Sequence, residues 1–307
     1  MGAGHAHGHG HGTAAAAHRG RLAVVLGITV VVLAVEVVGA LRSGSLALLA
    51  DAGHMAADAG GVALALFAVW IAGRAPSAKR TFGWQRAEIL AAAVNAVVLL
   101  GLSAFILYEA VQRLIDPEPV RAGTMIVFGV VGAVGNLVSL LLLAKGQAAS
   151  LNVRGAYLEV LNDLLGSVAV LAAALAIWLT GFTRADAIVS LGIGLLIIPR
   201  TLRLLRESVD VLLEATPRGV DLDEVRRHLL EAPGVLDVHD LHAWMITSGV
   251  PVMSAHVVVD EAVLSDGGYG RVLDHLHECL NGHFDVEHST LQLEPAGHVD
   301  HEGAHHT

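Results

Sequence analysis

Apolar residues in the first two-thirds of the chain do not follow the spacing of a soluble amphipathic helix or strand. They gather into six runs of roughly 20 residues, the length a helix needs to cross a bilayer. The runs predict membrane helices over about 22–41, 46–72, 87–114, 122–144, 153–179 and 185–204. Connections as short as Arg42-Ser43-Gly44 make neighbouring helices antiparallel. After Arg206 the pattern changes. Residues 221–230 and 269–280 have the spacing of amphipathic helices, and 235–246, 252–259 and 286–293 that of strands. Helix, two strands, helix and strand in succession predict a small α+β domain with helices on one face of a sheet. The expected organisation is a disordered His-rich tail over 1–19, a six-helix transmembrane domain over 20–207, a cytoplasmic domain over 208–297 and a second His-rich tail over 298–307.

Composition agrees with that reading. Of 307 residues 54% are hydrophobic and 16% charged, against about 25% charged in an average soluble domain. The net charge of −10 is unevenly distributed: residues 1–207 carry 15 Lys and Arg against 11 Asp and Glu, whereas 208–297 carry 4 against 16. An acidic domain is a poor partner for a phosphate backbone, so nucleic acid is excluded for this part. The single cysteine, Cys279, cannot form an intrachain disulfide or build a thiolate site, which leaves metal chemistry to His and carboxylates. Lys79 and Lys145 are the only lysines, and neither ends a phosphate-binding loop. With both termini on one side, that side receives eleven basic flanking residues and the other four, which expects both termini in the cytoplasm and an integral, multi-pass cell-membrane protein.

Between Arg19 and Arg227 the only histidine is His54, in the middle of the second apolar run. Asp58 follows at i+4 and Asp51 precedes at i−3, all on one helix face. Glu159 and Asp163 repeat the i, i+4 spacing in the fifth run. Ionisable groups inside a bilayer are costly and mark an ion or proton path. Two helices presenting two ligands each close a site of one imidazole nitrogen and three carboxylate oxygens, suited to Zn2+, with Cd2+ or Co2+ also accommodated. Asp51 is a candidate supporting group. Glu36, Glu88 and Glu109 stand singly or near helix ends and read as structural or interfacial groups, with Glu36 also open to a proton route.

Four motifs carry a resemblance. Residues 43–55 (SGSLALLADAGHM), 82–88 (FGWQRAE), 152–159 (NVRGAYLE) and 239–244 (HDLHAW) are similar to cation diffusion facilitator transporters, and the likeness extends over about 20–295. The resemblance implies six transmembrane helices with a cytoplasmic ferredoxin-like domain, in a homodimer. It implies transport ligands at His54, Asp58, Glu159 and Asp163. Many zinc-transporting members have His at the position of Glu159, and a bacterial zinc, cobalt and cadmium resistance branch has Glu. It further implies a regulatory metal site of His239, His256 and Glu294, with Gln292 replacing a family histidine.

His5, His7, His9 and His11, with His298, His301, His305 and His306, read as an auxiliary capture device for metal or as solvated ends. Because metal ligation requires deprotonated side chains, one set of groups can bind either metal or protons. The expected function is secondary active transport, not enzyme catalysis: a divalent metal leaves the cytoplasm in exchange for protons by alternating access. The other classes compatible with the sequence are a passive metal channel and a membrane-bound metal sensor or scaffold.

Overall fold

The computed structural model describes residues 11–144, 151–265, 267–286 and 288–298. They fall into two compact units, one within 1–63 and 95–203 and the other within 64–94 and 204–307. Six long helices come first: α1 (His11–Ser43), α2 (Leu46–Ala72), α3 (Ala87–Ile115), α4 (Ala122–Ala144), α5 (Leu151–Thr180) and α6 (Arg184–Leu212). Each contains a stretch long and apolar enough to cross a membrane. A helix satisfies its own backbone hydrogen bonds, which is why such segments are tolerated in lipid.

In the first unit α1, α4 and α5 pack against one another. The inner stripe of α4 is Met125, Gly129, Gly132, Asn136, Ser139 and Leu143, spaced alternately by four and three residues. Three of the six, Gly129, Gly132 and Ser139, are small. Lipid provides no hydrophobic drive between helices, so close van der Waals packing of small residues has to hold them. Ala40, Ala47, Leu48, Met125, Val170, Ala173, Ala174 and Ile177 form the adjoining apolar core.

The start of α2 is fixed from α6. Asp186, 1% exposed, accepts hydrogen bonds from Ser45 Oγ at 2.5 Å, the Leu46 amide at 2.7 Å and the Ala47 amide at 3.2 Å. The first amides of a helix have no intrahelical partner, and a carboxylate there also meets the positive end of the helix dipole. This anchor holds the helix that carries Asp51, His54 and Asp58.

The second unit contains α7 (Leu222–Leu230), β1 (Val235–Thr247), β2 (Val250–Val259), α8 (Glu261–Ser265), α9 (Tyr269–Phe284) and β3 (His288–Pro295). Asp221 caps α7 by accepting from the amides of Asp223 and Glu224. The sheet order is β1-β2-β3, with β1 antiparallel and β3 parallel to the central strand. Apart from the short α8, the order is that of βαββαβ without its first strand. One sheet face packs Met253, Ala255, Val257, Val259, Leu291 and Leu293 against Val225 and Leu229 of α7 and Leu276 and Leu280 of α9.

Two element boundaries differ from the sequence expectation. The segment from His11 to Arg19, expected to be disordered, belongs to α1. Ala14–Ala17 has the highest intrinsic helix propensity, and extending an existing helix avoids the cost of nucleation. Helix α6 runs eight residues past its expected end at 204, because Leu204, Val209 and Val211 continue an amphipathic pattern after the lipid-length run is complete.

Candidate metal centre

Helical spacing puts His54 and Asp58 one turn apart on α2, with His54 Nε2 3.4 Å from Asp58 Oδ2. Asp163 of α5 joins them: one ligand atom from each of His54, Asp58 and Asp163 lies within 4.8 Å of the others. Among the described residues, His54 Nδ1, Asp58 Oδ2 and Asp163 Oδ1 are buried without hydrogen-bond partners. Buried polar atoms are normally paired. Three residues converging from two helices, each with such an atom, are the arrangement a cation would complete, and one imidazole with two carboxylates suits a borderline divalent ion.

Glu159, the fourth expected ligand, is placed differently. It stands beside Asp58, but its two oxygens accept from Arg200 of α6, Nη1 to Oε1 and Nη2 to Oε2, both at 2.9 Å. The structure therefore brings three of the four expected ligands into one cluster and pairs the fourth with a guanidinium. Arg200 was legible in the sequence only as a basic residue following Pro199; nothing local indicated its partner.

Asp51, three residues before His54, faces inward and is 2% exposed. Its Oδ2 accepts from Ser167 Oγ at 3.2 Å, and Ser167 accepts from Asn136 Nδ2 at 3.1 Å. It is thus bound into a polar chain one turn from the cluster. Glu36 is also fully buried. Glu88 accepts from Thr247 Oγ1 at 2.8 Å, and Glu109 from Arg113 at 3.1 Å.

A second cluster lies on the sheet face opposite α7 and α9. His239 pairs with His256 across β1 and β2, and His256 with Gln292 across β2 and β3, so the three form a row; Glu294 is two residues further along β3. His239 Nε2 lies 2.6 Å from Glu294 Oε1, and His256 Nδ1 lies 3.6 Å from Glu294 Oε2. Gln292 donates to Glu294 Oε2 at 3.1 Å. Burial pushes the Glu294 carboxyl up, but hydrogen bonds from His239 and Gln292 and the neighbouring imidazoles outweigh it and hold the carboxyl below the usual glutamate range. Ligand atoms of His239, His256 and Glu294 fall within 4.8 Å of one another.

A β-bulge adds two groups here that the sequence reading did not include. From His239 to His242 β1 advances three residues while β2 advances two, and Asp240 takes φ 49°. The extra residue returns His242 to the face of His256. His242 Nε2 then lies 3.0 Å from Asp240 Oδ1, and His256 Nε2 lies 4.0 Å from Asp240 Oδ2. Of the expected capture histidines, His11 begins α1 and His298 follows β3. His5, His7, His9, His301, His305 and His306 lie outside the described residues.

Six membrane-capable helices carrying an intramembrane cluster of metal-ligating groups, followed by a small α+β domain with a second cluster, define a multi-pass membrane protein equipped to handle metal cations. The family model of the cation efflux transmembrane domain matches residues 22–213, and that of the cation efflux protein cytoplasmic domain matches residues 217–296. The chain belongs to the cation efflux, or cation diffusion facilitator, family; it is a metal-cation transporter and not an enzyme. It is 45% identical over 296 residues to the metal cation efflux system protein CzcD of Cupriavidus metallidurans, covering 96% of this chain and 91% of that protein. It is 43% identical over 276 residues to the zinc transporter ZitB of Escherichia coli, covering 89% and 87%. It is 35% identical over 266 residues to a cadmium, cobalt and zinc/H(+)-K(+) antiporter of Bacillus subtilis, covering 86% and 85%.

Proposed function

We propose that the chain exports Zn2+, and also Cd2+ and Co2+, from the cytoplasm in exchange for protons, by alternating access of a site built from His54, Asp58, Glu159 and Asp163. The observation that carries the proposal is the convergence of His54, Asp58 and Asp163 with an orphaned buried atom on each. The names of the zinc transporter and the cadmium, cobalt and zinc antiporter among its relatives support the metals and the exchange. Deprotonated ligands facing the cytoplasm take the ion; reorientation and protonation release it on the far side. Glu159 joins the ion when Arg200 releases it. His54 is the ligand whose ordinary pKa, about 6.5, lies nearest the working pH, which suits it to exchange a proton for the metal.

Both termini lie in the cytoplasm, in keeping with the eleven basic flanking residues on that side. Two chains form a homodimer, and His239, His256 and Glu294 hold a regulatory metal. Residues 208–297 carry a net charge of −12, so two such domains repel at low salt and bound divalent cations draw them together. The His-rich tails raise the local metal concentration.

Metal and proton fluxes in sealed vesicles containing the purified chain test this reading, with Zn2+, Cd2+, Co2+ and Mn2+ compared with and without a pH gradient. Zinc movement should follow the gradient. Movement indifferent to it would mean a passive channel, and movement of Mn2+ alone would contradict the ligand set. If His54→Ala and Asp163→Asn transport like the parent while loss of residues 208–297 abolishes the response, the chain is a sensor.

A further inference from the structure

Both oxygens of Glu36 are buried without a hydrogen-bond partner among the described residues, and the residue is 0% exposed. Its surroundings are polar. Glu36 Oε1 and Ser167 Oγ both lie against Gly132, where a Cβ would collide with the carboxylate. Ser167 has one hydroxyl proton and donates it to Asp51, while its own oxygen accepts from Asn136. The same hydroxyl also acts on Glu36, so one proton serves two carboxylates. The charged groups that bear on Glu36 are Asp51 from α2 and Asp163 from α5; from α4, Gly132 and Asn136 carry no charge.

Ionised together, the two carboxylates have one serine hydroxyl between them and no counter-charge, a state costing far more than exposed carboxylates pay. Something positive must accompany them. The local packing decides what. Glycine at 132 and at 166, where a Cβ would stand 2.6 Å from Asp51 Oδ1, lets the helices close directly onto both carboxylates. The groups offered are all oxygen, and a metal ion with its own shell of ligands needs more room than this contact leaves. A proton needs none, and two close carboxylates can share one.

We infer that Glu36 and Asp51, linked through Ser167, form a shared proton site distinct from the metal ligands and one helical turn beyond Asp163 along α5. The inference rests on the exchange of metal for protons proposed above and assigns part of that exchange to a place. Asp51 lies three residues from His54 on α2, so the charge of the pair acts on the metal cluster from about one turn away. With the proton absent the pair carries two negative charges and favours a cation at His54, Asp58 and Asp163. When a proton arrives from the far side the pair carries one negative charge and the cation is released more readily. The proton then leaves to the cytoplasm, and nothing else is consumed.

Infrared difference spectra of the full chain in lipid, between acid and neutral pH, read the protonated carboxyl directly, and proteoliposomes count protons moved per zinc. Glu36→Gln should remove a carboxyl band that His54→Ala retains, lower the count by about one proton per zinc, and weaken zinc binding in the same direction as protonation of the pair does. A parental band and count in Glu36→Gln overturn the inference. If Glu36→Gln does not fold, Ser167→Ala removes only the hydroxyl beside the pair; it should shift the band and the pH midpoint of proton movement, and an unshifted midpoint overturns the inference. Asp163→Asn separates the two readings. If it binds zinc like the parent while Glu36→Gln loses the band, the metal-site reading fails and the proton site stands; if it loses zinc while Glu36→Gln keeps the parental band, the reverse holds.

Discussion

Arg200 holds Glu159 through two parallel hydrogen bonds of 2.9 Å, a guanidinium laid against a carboxylate one turn from Asp163. In the absence of metal the site thus carries its own tethered cation. The guanidinium side chain is 59% exposed, and exposed pairs contribute at most about 1 kcal/mol. A competitor of that strength can be displaced by a divalent ion, and an unpaired Glu159 would be left free to bind it sooner.

Replacing Arg200 by Met should therefore raise zinc affinity by up to about fivefold, the equivalent of that 1 kcal/mol. Turnover should fall, because the ion leaves without a replacement charge. Calorimetry on the purified chain and vesicle flux measure the two effects. An unchanged affinity would mean that Arg200 keeps Glu159 throughout the cycle, and the metal would then have three protein ligands.

Asp163→Asn keeps the shape of the side chain and removes its charge at a position 5% exposed. Loss of a group that only supports a metal ligand typically weakens binding about 10- to 100-fold, so loss of a ligand should exceed about 100-fold. Asp58→Asn should behave alike. Zinc titration of each variant, checked for a parental unfolding temperature, decides; a loss under tenfold would remove that residue from the ligand set.

The Glu294 carboxyl is held below its ordinary range, so its contribution to stability has a defined sign. A depressed folded value means that the stabilisation is fully present above the unfolded pKa of about 4.3 and disappears as pH falls through the folded value. Relative to Glu294→Gln, the parent chain without metal should be more stable at neutral pH, and the gap should narrow as the solution is acidified below that value. Unfolding of both proteins across pH measures it. A gap that widens on acidification would contradict the hydrogen bonds from His239 and Gln292.

Asp186→Ala removes the acceptor for Ser45 Oγ and for the Leu46 and Ala47 amides at the buried start of α2. Each orphaned donor costs about 1–3 kcal/mol, so a loss of about 3 kcal/mol is expected, with a clear drop in thermal midpoint in detergent. Asp186→Asn, which retains one acceptor oxygen, should lose less. Equal stability of all three proteins would show that water replaces the cap at no cost.

The apolar runs and the i, i+4 pairs were readable from the sequence because both are local. Run length alone fixes whether a helix can span a bilayer, and spacing alone puts His54 over Asp58 and Glu159 over Asp163. The pairing of His239 with His256 was only half legible: alternation places each on a strand face, but register decides whether the faces coincide. The bulge at Asp240 decided the rest, by returning His242 to the same face after an odd number of residues.

Other relationships join residues far apart in the chain, which no periodicity can register. Arg200 is 41 residues from Glu159, and Asp186 is 141 from Ser45. Glu36 read as an isolated acid because its significance depends on what α2, α4 and α5 place around it. The sequence by itself determined that costly charges would be carried into the membrane and on which helices. Only the tertiary structure decided which of them meet as a cluster, which receives an arginine and which share a single hydroxyl, because partners separated by tens of residues are chosen by helix packing.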